Sequence, residues 1–176
     1  MHLKKKDIMP HLTRRSVCSL AILLTCAATE AEERANISEL SWTDKQYMTA
    51  QIQQVDELVR DQFGGQLHES RADLDLLQRV INRGVIDKSN VQTQQALGMA
   101  LGNVIAKETG MKWYAYKDSN GRNRALCVPE TDHCLFPVTM LSRRMSVGLY
   151  PDVTKLYSES MEMLEPHLAK SPYDVN

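Results

Sequence analysis

Aromatic residues are scarce in this chain, since Phe, Trp and Tyr together make up 6% of its 176 residues. Eight glycines and six prolines occur without any period, which excludes collagen-like and low-complexity chains. Neither sign of charge dominates, because 21 basic residues stand against 22 acidic ones. With 43% hydrophobic residues, the composition predicts one soluble globular domain rather than a disordered or polytopic chain.

Recognisable catalytic and cofactor motifs are also missing. The sequence contains no G-x-S-x-G, no H-E-x-x-H, no phosphate-loop glycine pattern and no paired-carboxylate signature. His68 and His167 occur in polar, helix-flanking contexts that are typical of solvated surface. We therefore expect no catalytic residue, no cofactor and no resident metal, although missing motifs argue only against the common enzymes.

The start of the chain has the pattern of a cleavable signal peptide, residues 1–31. Basic residues at positions 4–6, 14 and 15 precede an apolar run over residues 17–28, and Thr29-Glu30-Ala31 offers small residues where signal peptidase reads them. The run is shorter than the roughly 18 residues of a membrane-spanning helix, which disfavours a permanent anchor. Positive charge before the run favours export of the remainder of the chain, whether translation starts at Met1 or at Met9.

Two details of this leader bear on location. Leu23-Leu24-Thr25-Cys26 approximates a lipoprotein box, but Thr25 is bulkier than the usual Gly or Ala. Thr13-Arg14-Arg15-Ser16-Val17 resembles half of a twin-arginine signal. We expect ordinary export to the periplasm or the exterior as a soluble protein, and a lipoprotein anchored to the membrane through Cys26 is the alternative.

The charge of the mature chain disfavours nucleic acid as a partner. Removing residues 1–31 takes away five basic and two acidic residues, which leaves 16 basic and 20 acidic residues and a formal charge of −4. Proteins that bind nucleic acid show the opposite imbalance, because Lys and Arg make their phosphate contacts. We therefore expect a protein partner in the cell envelope and no DNA or RNA.

Three helices are predicted first in the mature chain, after a lead-in segment over residues 32–43. Thr43-Asp44-Lys45-Gln46 has the capping-box form, and apolar residues then recur at steps of three and four as far as Phe63. A second helix is predicted over residues 73–83, and a third between Ser89 and Gly110. Gly98 and Gly102 on the third helix predict a close crossing by another element, with a partner groove as the alternative.

From residue 112 the pattern changes to strands. Trp113-Tyr114-Ala115-Tyr116 and residues 124–128 flank a strong turn signal at residues 118–121, which predicts a hairpin. A third strand is predicted over residues 135–140, with Pro137 at its edge or boundary, followed by a short helical stretch near residues 141–146. A last helix is predicted from Pro151-Asp152 to residue 165, where Pro166 ends it.

These elements predict an α+β domain over residues 44–168, followed by a C-terminal tail over residues 169–176. Its parts are about three N-terminal helices, an antiparallel three-stranded meander and a C-terminal helix, with helices covering one face of the sheet. We expect both tryptophans of the mature chain, Trp42 and Trp113, to lie in the core or between helices.

Cys127 and Cys134 are the two cysteines of the mature chain, and they flank the connection between the second and third predicted strands. Export to an oxidising compartment predicts a structural disulfide between them, and two reduced thiols are the first alternative. A second alternative is a zinc site that uses these cysteines with Asp132 and His133, although no second ligand pair follows. Another is a thiol nucleophile with His133 as its base, for which no orienting group can be named.

Arg143 and Arg144 follow the predicted third strand. A solvated or helix-capping pair is the ordinary interpretation of two such residues. With Phe136 and Pro137 they would instead form an exposed arginine-aromatic surface of the kind that anchors protein interfaces. We take Phe136, Pro137, Arg143 and Arg144 as the candidate partner surface.

Five segments carry a resemblance to a known family. They are Leu40-Ser41-Trp42-Thr43-Asp44, Tyr47-Met48, Asp73-Leu74-Asp75-Leu76-Leu77-Gln78, Gln95-Ala96-Leu97-Gly98-Met99-Ala100-Leu101-Gly102 and Leu135-Phe136-Pro137-Val138-Thr139-Met140-Leu141-Ser142-Arg143-Arg144. Through them the chain, from Leu40 to about Leu164, resembles an uncharacterised bacterial family catalogued as domain of unknown function 3806. The resemblance implies a small domain from a bacterium, a Gram-negative one, and supplies no catalytic residues. The two cysteines are not part of the pattern.

Taken together, the sequence favours an exported envelope protein that binds another protein, as an inhibitor or immunity-type module without catalysis. The alternative is an envelope enzyme or a small-ligand binding protein whose site is not recognisable from sequence.

Overall fold

The computed structural model describes residues 35–168, all of which belong to one compact unit. In chain order its elements are β1 (Asn36–Glu39), α1 (Trp42–Phe63), α2 (Ala72–Arg83), α3 (Val91–Thr109), β2 (Lys112–Asp118), β3 (Gly121–Cys127), β4 (Cys134–Leu135), α4 (Pro137–Met145), α5 (Val153–Leu164) and a 3₁₀ turn (Glu165–His167). The predicted signal peptide with Cys26, and the predicted tail over residues 169–176, lie outside the described residues and stay predictions. Within residues 35–168, no helix has the length and apolar character to cross a membrane.

The strands form one antiparallel sheet in the order β1-β2-β3-β4. The predicted α+β class is therefore confirmed, and the hairpin of β2 and β3 lies where its turn signal placed it. No strand was predicted in the lead-in segment over residues 32–43, whereas its residues 36–39 form the edge strand β1. Only Ile37 of β1 is even half-buried, so the strand lacks the alternation of apolar and polar residues by which strands are recognised.

The prediction of a third strand over residues 135–140 is wrong. Strand β4 is only Cys134–Leu135, and the helix α4 begins at Pro137. Proline is favoured at the first helical position, because its missing N–H would have no partner there and its φ already suits a helix. Pro137, Leu141 and Met145 are all buried at steps of four, so α4 turns one apolar face inward.

The start of α1 also differs from the prediction. Its N-cap is Ser41 rather than Thr43, because the Ser41 hydroxyl accepts from the backbone N–H of Asp44 at 3.1 Å and donates to the Asp44 carboxylate at 2.6 Å. Trp42, predicted to be a core or helix-packing residue, is 74% exposed. The bounds of α2, α3 and α5 agree with the sequence to within one or two residues.

Helix α3 is the centre of the core. Residues 96–102 are buried without interruption, because α1, α2, α4 and α5 all pack against this helix. A Cβ added at Gly98 would lie 2.9 Å from the Cα of Val138, and one at Gly102 would lie 2.7 Å from Cη2 of Trp113. The two glycines therefore permit the close crossing that the sequence predicted, by α4 at Gly98 and by Trp113 of β2 at Gly102.

Candidate functional site

Cys127 and Cys134 form a disulfide in the structure. They are direct partners in the antiparallel register of β3 and β4, with their Cα atoms 4.0 Å apart. The pair therefore has the predicted bond, and both the zinc and the nucleophile interpretations would require the reduced chain, because sulfurs bonded to each other provide neither thiolate ligands for zinc nor a nucleophile. Within residues 35–168, no group of three or more His, Cys, Asp or Glu side chains is placed to hold a metal ion.

The four residues of the candidate partner surface do not form one exposed patch. Phe136 is half-buried and packs edge-to-face on Tyr116, with ring centroids 5.0 Å apart. Pro137 is buried where α4 crosses α3. Arg143 and Arg144 are exposed in the last turn of α4, at the opposite end of the helix from Pro137. Partner binding by the two arginines stays a prediction, but the two apolar residues belong to the packing of the domain.

Next to these arginines lies an apolar surface that the sequence analysis missed. We call it the apolar patch and define it by Val85, Val147, Leu149 and Tyr150, which are 41%, 71%, 59% and 67% exposed. Val85 belongs to the loop between α2 and α3, and the other three belong to the loop between α4 and α5. The two loops lie side by side, since Ile86 of one and Leu149 and Tyr150 of the other line one depression of about 270 Å³. Val85 and Val147 do not line it themselves, but each is next in sequence to a residue that does. The sequence does contain a signal for this surface: Val147, Leu149 and Tyr150 are apolar residues between the end of α4 and Pro151, where no helical period continues.

The backbone holds the α4–α5 loop in one conformation. Gly148 has a φ of +83°, its N–H donates to the carbonyl of Met145 at 2.9 Å, and the N–H of Leu149 donates to the carbonyl of Arg144 at 3.0 Å. These two bonds are those of a Schellman motif, the common glycine-dependent end of a helix. Leu149 directly follows this motif, is 59% exposed, and lines the depression together with Met145 of α4.

The depression beside the patch is apolar at its base and carries mixed charge at its rim. Met145 lines its base, while Asp87 and Lys88 lie at its edge. Hydrogen bonds from Ser89 lower the pKa of Asp87, so this carboxylate is already engaged with its own loop. Within residues 35–168 neither Arg143 nor Arg144 forms an ion pair, and the Arg144 guanidinium donates only to the carbonyl of Met140 at 2.7 Å.

Asp44 is the most strongly perturbed ionisable group of the fold. Arg122 donates to both of its carboxylate oxygens, at 3.1 and 2.5 Å, and Arg124 approaches within 3.0 Å. Hydrogen bonds from Arg122 hold the pKa of Asp44 well below its ordinary value, against the opposing effect of burial. Arg124 also lies over the ring of Tyr47, 4.5 Å from its centroid. Because the carboxylate is fully engaged, the cluster joins α1 to β3 and offers no free base.

A second polar cluster joins α3 to α5. The hydroxyl of Tyr157 donates to one oxygen of Glu108, and Nε of Arg71 donates to the other at 2.7 Å. Burial raises the pKa of Tyr157, and its bond to Glu108 adds to that shift. Burial also opposes ionisation of Glu108, but the bonds from Arg71 and Tyr157 leave its pKa lowered. The groups satisfy one another, so this cluster too is structural.

Residues 73–157 match the family model described as Domain of unknown function (DUF3806). The resemblance to this family is confirmed. The matched segment begins in α2 and ends in α5, so it contains the whole apolar patch and both arginines. It does not reach the segments around Leu40 and Tyr47, on which the resemblance in the sequence also rested.

A crystal structure from Bacteroides thetaiotaomicron VPI-5482 has a similar fold, with a TM-score of 0.67 at 18% sequence identity. The similarity covers 76% of this chain and 50% of that one, so the chain spans half the length of this structural neighbour. At this identity the likeness concerns the fold alone. No curated protein matches the chain.

Proposed function

We propose that the mature protein is a protein-binding module of the bacterial cell envelope, an inhibitor or immunity-type protein without catalysis. The observation that carries this proposal is the apolar patch, whose four side chains are between 41% and 71% exposed. Soluble monomers rarely leave large apolar side chains clustered in solvent, and such clusters mark binding surfaces. The patch is therefore the surface that a partner covers.

The fixed backbone beneath the patch supports this assignment. Leu149 and Tyr150 follow the Schellman motif at Gly148, so little conformational entropy is lost when they bind. Tyrosine and arginine are also enriched among the residues that contribute most to binding energy at interfaces. Tyr150 and the two arginines at the end of α4 provide both types within a short stretch of the chain, and Arg144 lines a neighbouring depression next to Pro151.

The chemistry of the surface defines its partner. An apolar side chain of the partner enters the depression beside Leu149, and partner carboxylates face Arg143 and Arg144, which have no ion-pair partners within residues 35–168. Arginine binds carboxylates with two parallel hydrogen bonds, which adds orientation to the apolar contact. We infer a protein partner that presents an apolar residue flanked by acidic ones.

The envelope location rests on the leader and on the disulfide. The basic and apolar pattern of residues 1–31 is that of a signal peptide. The Cys127–Cys134 bond is compatible with an oxidising compartment, where disulfides persist. We propose the periplasm as the site of action, with lipid anchoring through Cys26 as the alternative.

Affinity purification of the tagged full chain from envelope extracts tests the proposal. We expect a stoichiometric protein partner, and we expect the double variant Leu149→Ser, Tyr150→Ser to retain less than about a tenth of it, as the loss of interface hot spots predicts. Charge reversal by Arg143→Glu, Arg144→Glu should weaken the same complex.

Trp42→Ser is the matched control, because it removes a 74% exposed apolar side chain outside the patch. This variant should keep the partner in full. A partner retained equally by the patch variants, or no partner under any of several growth conditions, would contradict the proposal.

A further inference from the structure

A cleft on another part of the surface has the composition of a small-ligand site. It lies where α1 crosses the connection from α3 to β2 and has a volume of about 360 Å³. Met48 and Ile52 of α1 form one wall, and Met111 and Trp113 form the other. This volume lies near the lower end of the range of about 300–1,000 Å³ that ligand pockets occupy. The cleft shares no residue with the apolar patch.

Trp113 is fixed in the wall of this cleft by contacts on two sides. Its indole N–H donates to the Asn103 side-chain carbonyl at 2.9 Å, and the Asn103 amide donates to the carboxylate of Glu69 at 2.9 Å. Its benzo edge lies against Gly102, where any side chain would collide with the ring. The ring is therefore held in place without a ligand, as a preformed site requires.

Two lysines give the cleft its charge. Lys45 of α1 and Lys112 at the start of β2 are exposed, and both line the cleft. No acidic residue lines the cleft, and within residues 35–168 neither lysine forms an ion pair. An apolar floor with two cations at its mouth is complementary to a ligand with an apolar body and an anionic end.

We propose that this cleft binds a small amphipathic anion, a medium-chain or aryl carboxylate, with its apolar part against Trp113 and its carboxylate between Lys45 and Lys112. At the roughly 30 Å³ that one water molecule occupies in the liquid, the cleft has room for about a dozen groups of that size. A medium-chain carboxylate such as octanoate fits within this limit. The proposal is independent of the protein partner at the apolar patch.

Calorimetric titration of the purified protein with octanoate, 1-octanol and octylammonium tests the assignment. We expect octanoate to bind about tenfold more tightly than 1-octanol, as two exposed ion pairs predict, and octylammonium to bind most weakly. In a Trp42→Phe background Trp113 is the only tryptophan of the mature chain, and its fluorescence should change on addition of octanoate.

Two variants locate the binding. The double variant Lys45→Met, Lys112→Met should lower the affinity for octanoate about tenfold and leave the affinity for 1-octanol unchanged. The control variant Lys117→Met, Lys155→Met replaces two exposed lysines outside the cleft and should change neither affinity. Thr49→Trp should abolish binding of both, because Thr49 is exposed and lines the cleft, so that a large side chain there fills it without disturbing the core.

Equal affinity for the three probes, or no heat with any of them at millimolar concentration, would overturn the proposal. Self-association that Thr49→Trp abolishes and octanoate does not affect would also overturn it, since the occupant would then be a second copy of the chain. Circular dichroism of every variant shows whether a loss of binding is a loss of fold.

Discussion

Replacing Cys127 and Cys134 together with alanine should lower the stability of the mature protein and leave partner binding unchanged. The bond joins residues 7 positions apart, and the chain-entropy relation for a loop of this length gives about 2.4 kcal/mol at 25 °C. Small domains are stable by about 5–15 kcal/mol in total, so this is a large share. The patch residues belong to other loops, which is why binding should not change.

The expected change in melting temperature follows from the size of the chain. Unfolding entropy of about 2.1 cal/mol/K per residue, over the roughly 145 residues left after removal of the leader, converts 2.4 kcal/mol into a shift of about 8 °C. The corresponding serine variant should be less stable still. Cys127 is only 1% exposed, and burying a hydroxyl there without a partner costs a further 1–3 kcal/mol or so.

Thermal and urea unfolding followed by circular dichroism measure these shifts, with and without reductant. Reductant should lower the midpoint of the native protein towards that of the alanine variant and should not affect the variant itself. Mass spectrometry under non-reducing conditions should find the native chain lighter than its reduced form by the mass of about two hydrogens. A shift below about 2 °C, or two free thiols in protein taken directly from the envelope, would refute the reasoning.

Three further predictions concern packing, charge and location. Gly98→Ala should lower the free energy of unfolding, measured in urea, by about 1–3 kcal/mol, because the new methyl group would collide with the backbone of Val138 and the gain in helix propensity is smaller than this packing cost. Unchanged stability would contradict the close crossing of α3 and α4. Asp44 has a lowered pKa in the folded state, so the ionised carboxylate contributes its full stabilisation above the unfolded pKa of about 4, and this stabilisation is lost as the pH falls below that value. Asp44→Asn should therefore flatten the acid limb of the curve of stability against pH. An unaltered curve would exclude the ion pair of Asp44 as the cause of acid unfolding. Residues 1–33 fused to a reporter that is active only after export should give signal, and labelled fatty acid should not be incorporated; incorporation that Cys26→Ala abolishes would establish the lipoprotein alternative.

Local signals were sufficient for most of the helices. Helix α3 begins after Asn90, whose side chain caps it, and ends at Gly110 in the left-handed conformation. Helix α5 begins after Asp152, whose carboxylate accepts from the N–H of Lys155. These features act within a few residues of the chain, so they are legible without knowledge of the fold.

The elements that were misjudged depend on distant partners. Residues 135–140 contain aromatic and β-branched residues suited to a strand, but Pro137 and Leu141 are buried against α3, and that packing favours a helix. Strand β1 exists because β2 offers it an edge to pair with. In both cases the deciding contact joins segments that are far apart along the chain.

The candidate sites show the same division. The α+β class, the boundaries of α2, α3 and α5 and the proximity of Cys127 and Cys134 could be predicted from the sequence, because each follows from neighbouring residues or from a short connection. The exposure of Leu149 and Tyr150 and the burial of Pro137 could not be predicted in this way, since exposure depends on what the rest of the folded chain covers. The tertiary structure alone also brings α1 against the start of β2 to form a cleft, because side chains remote along the chain meet only when the core between them has packed.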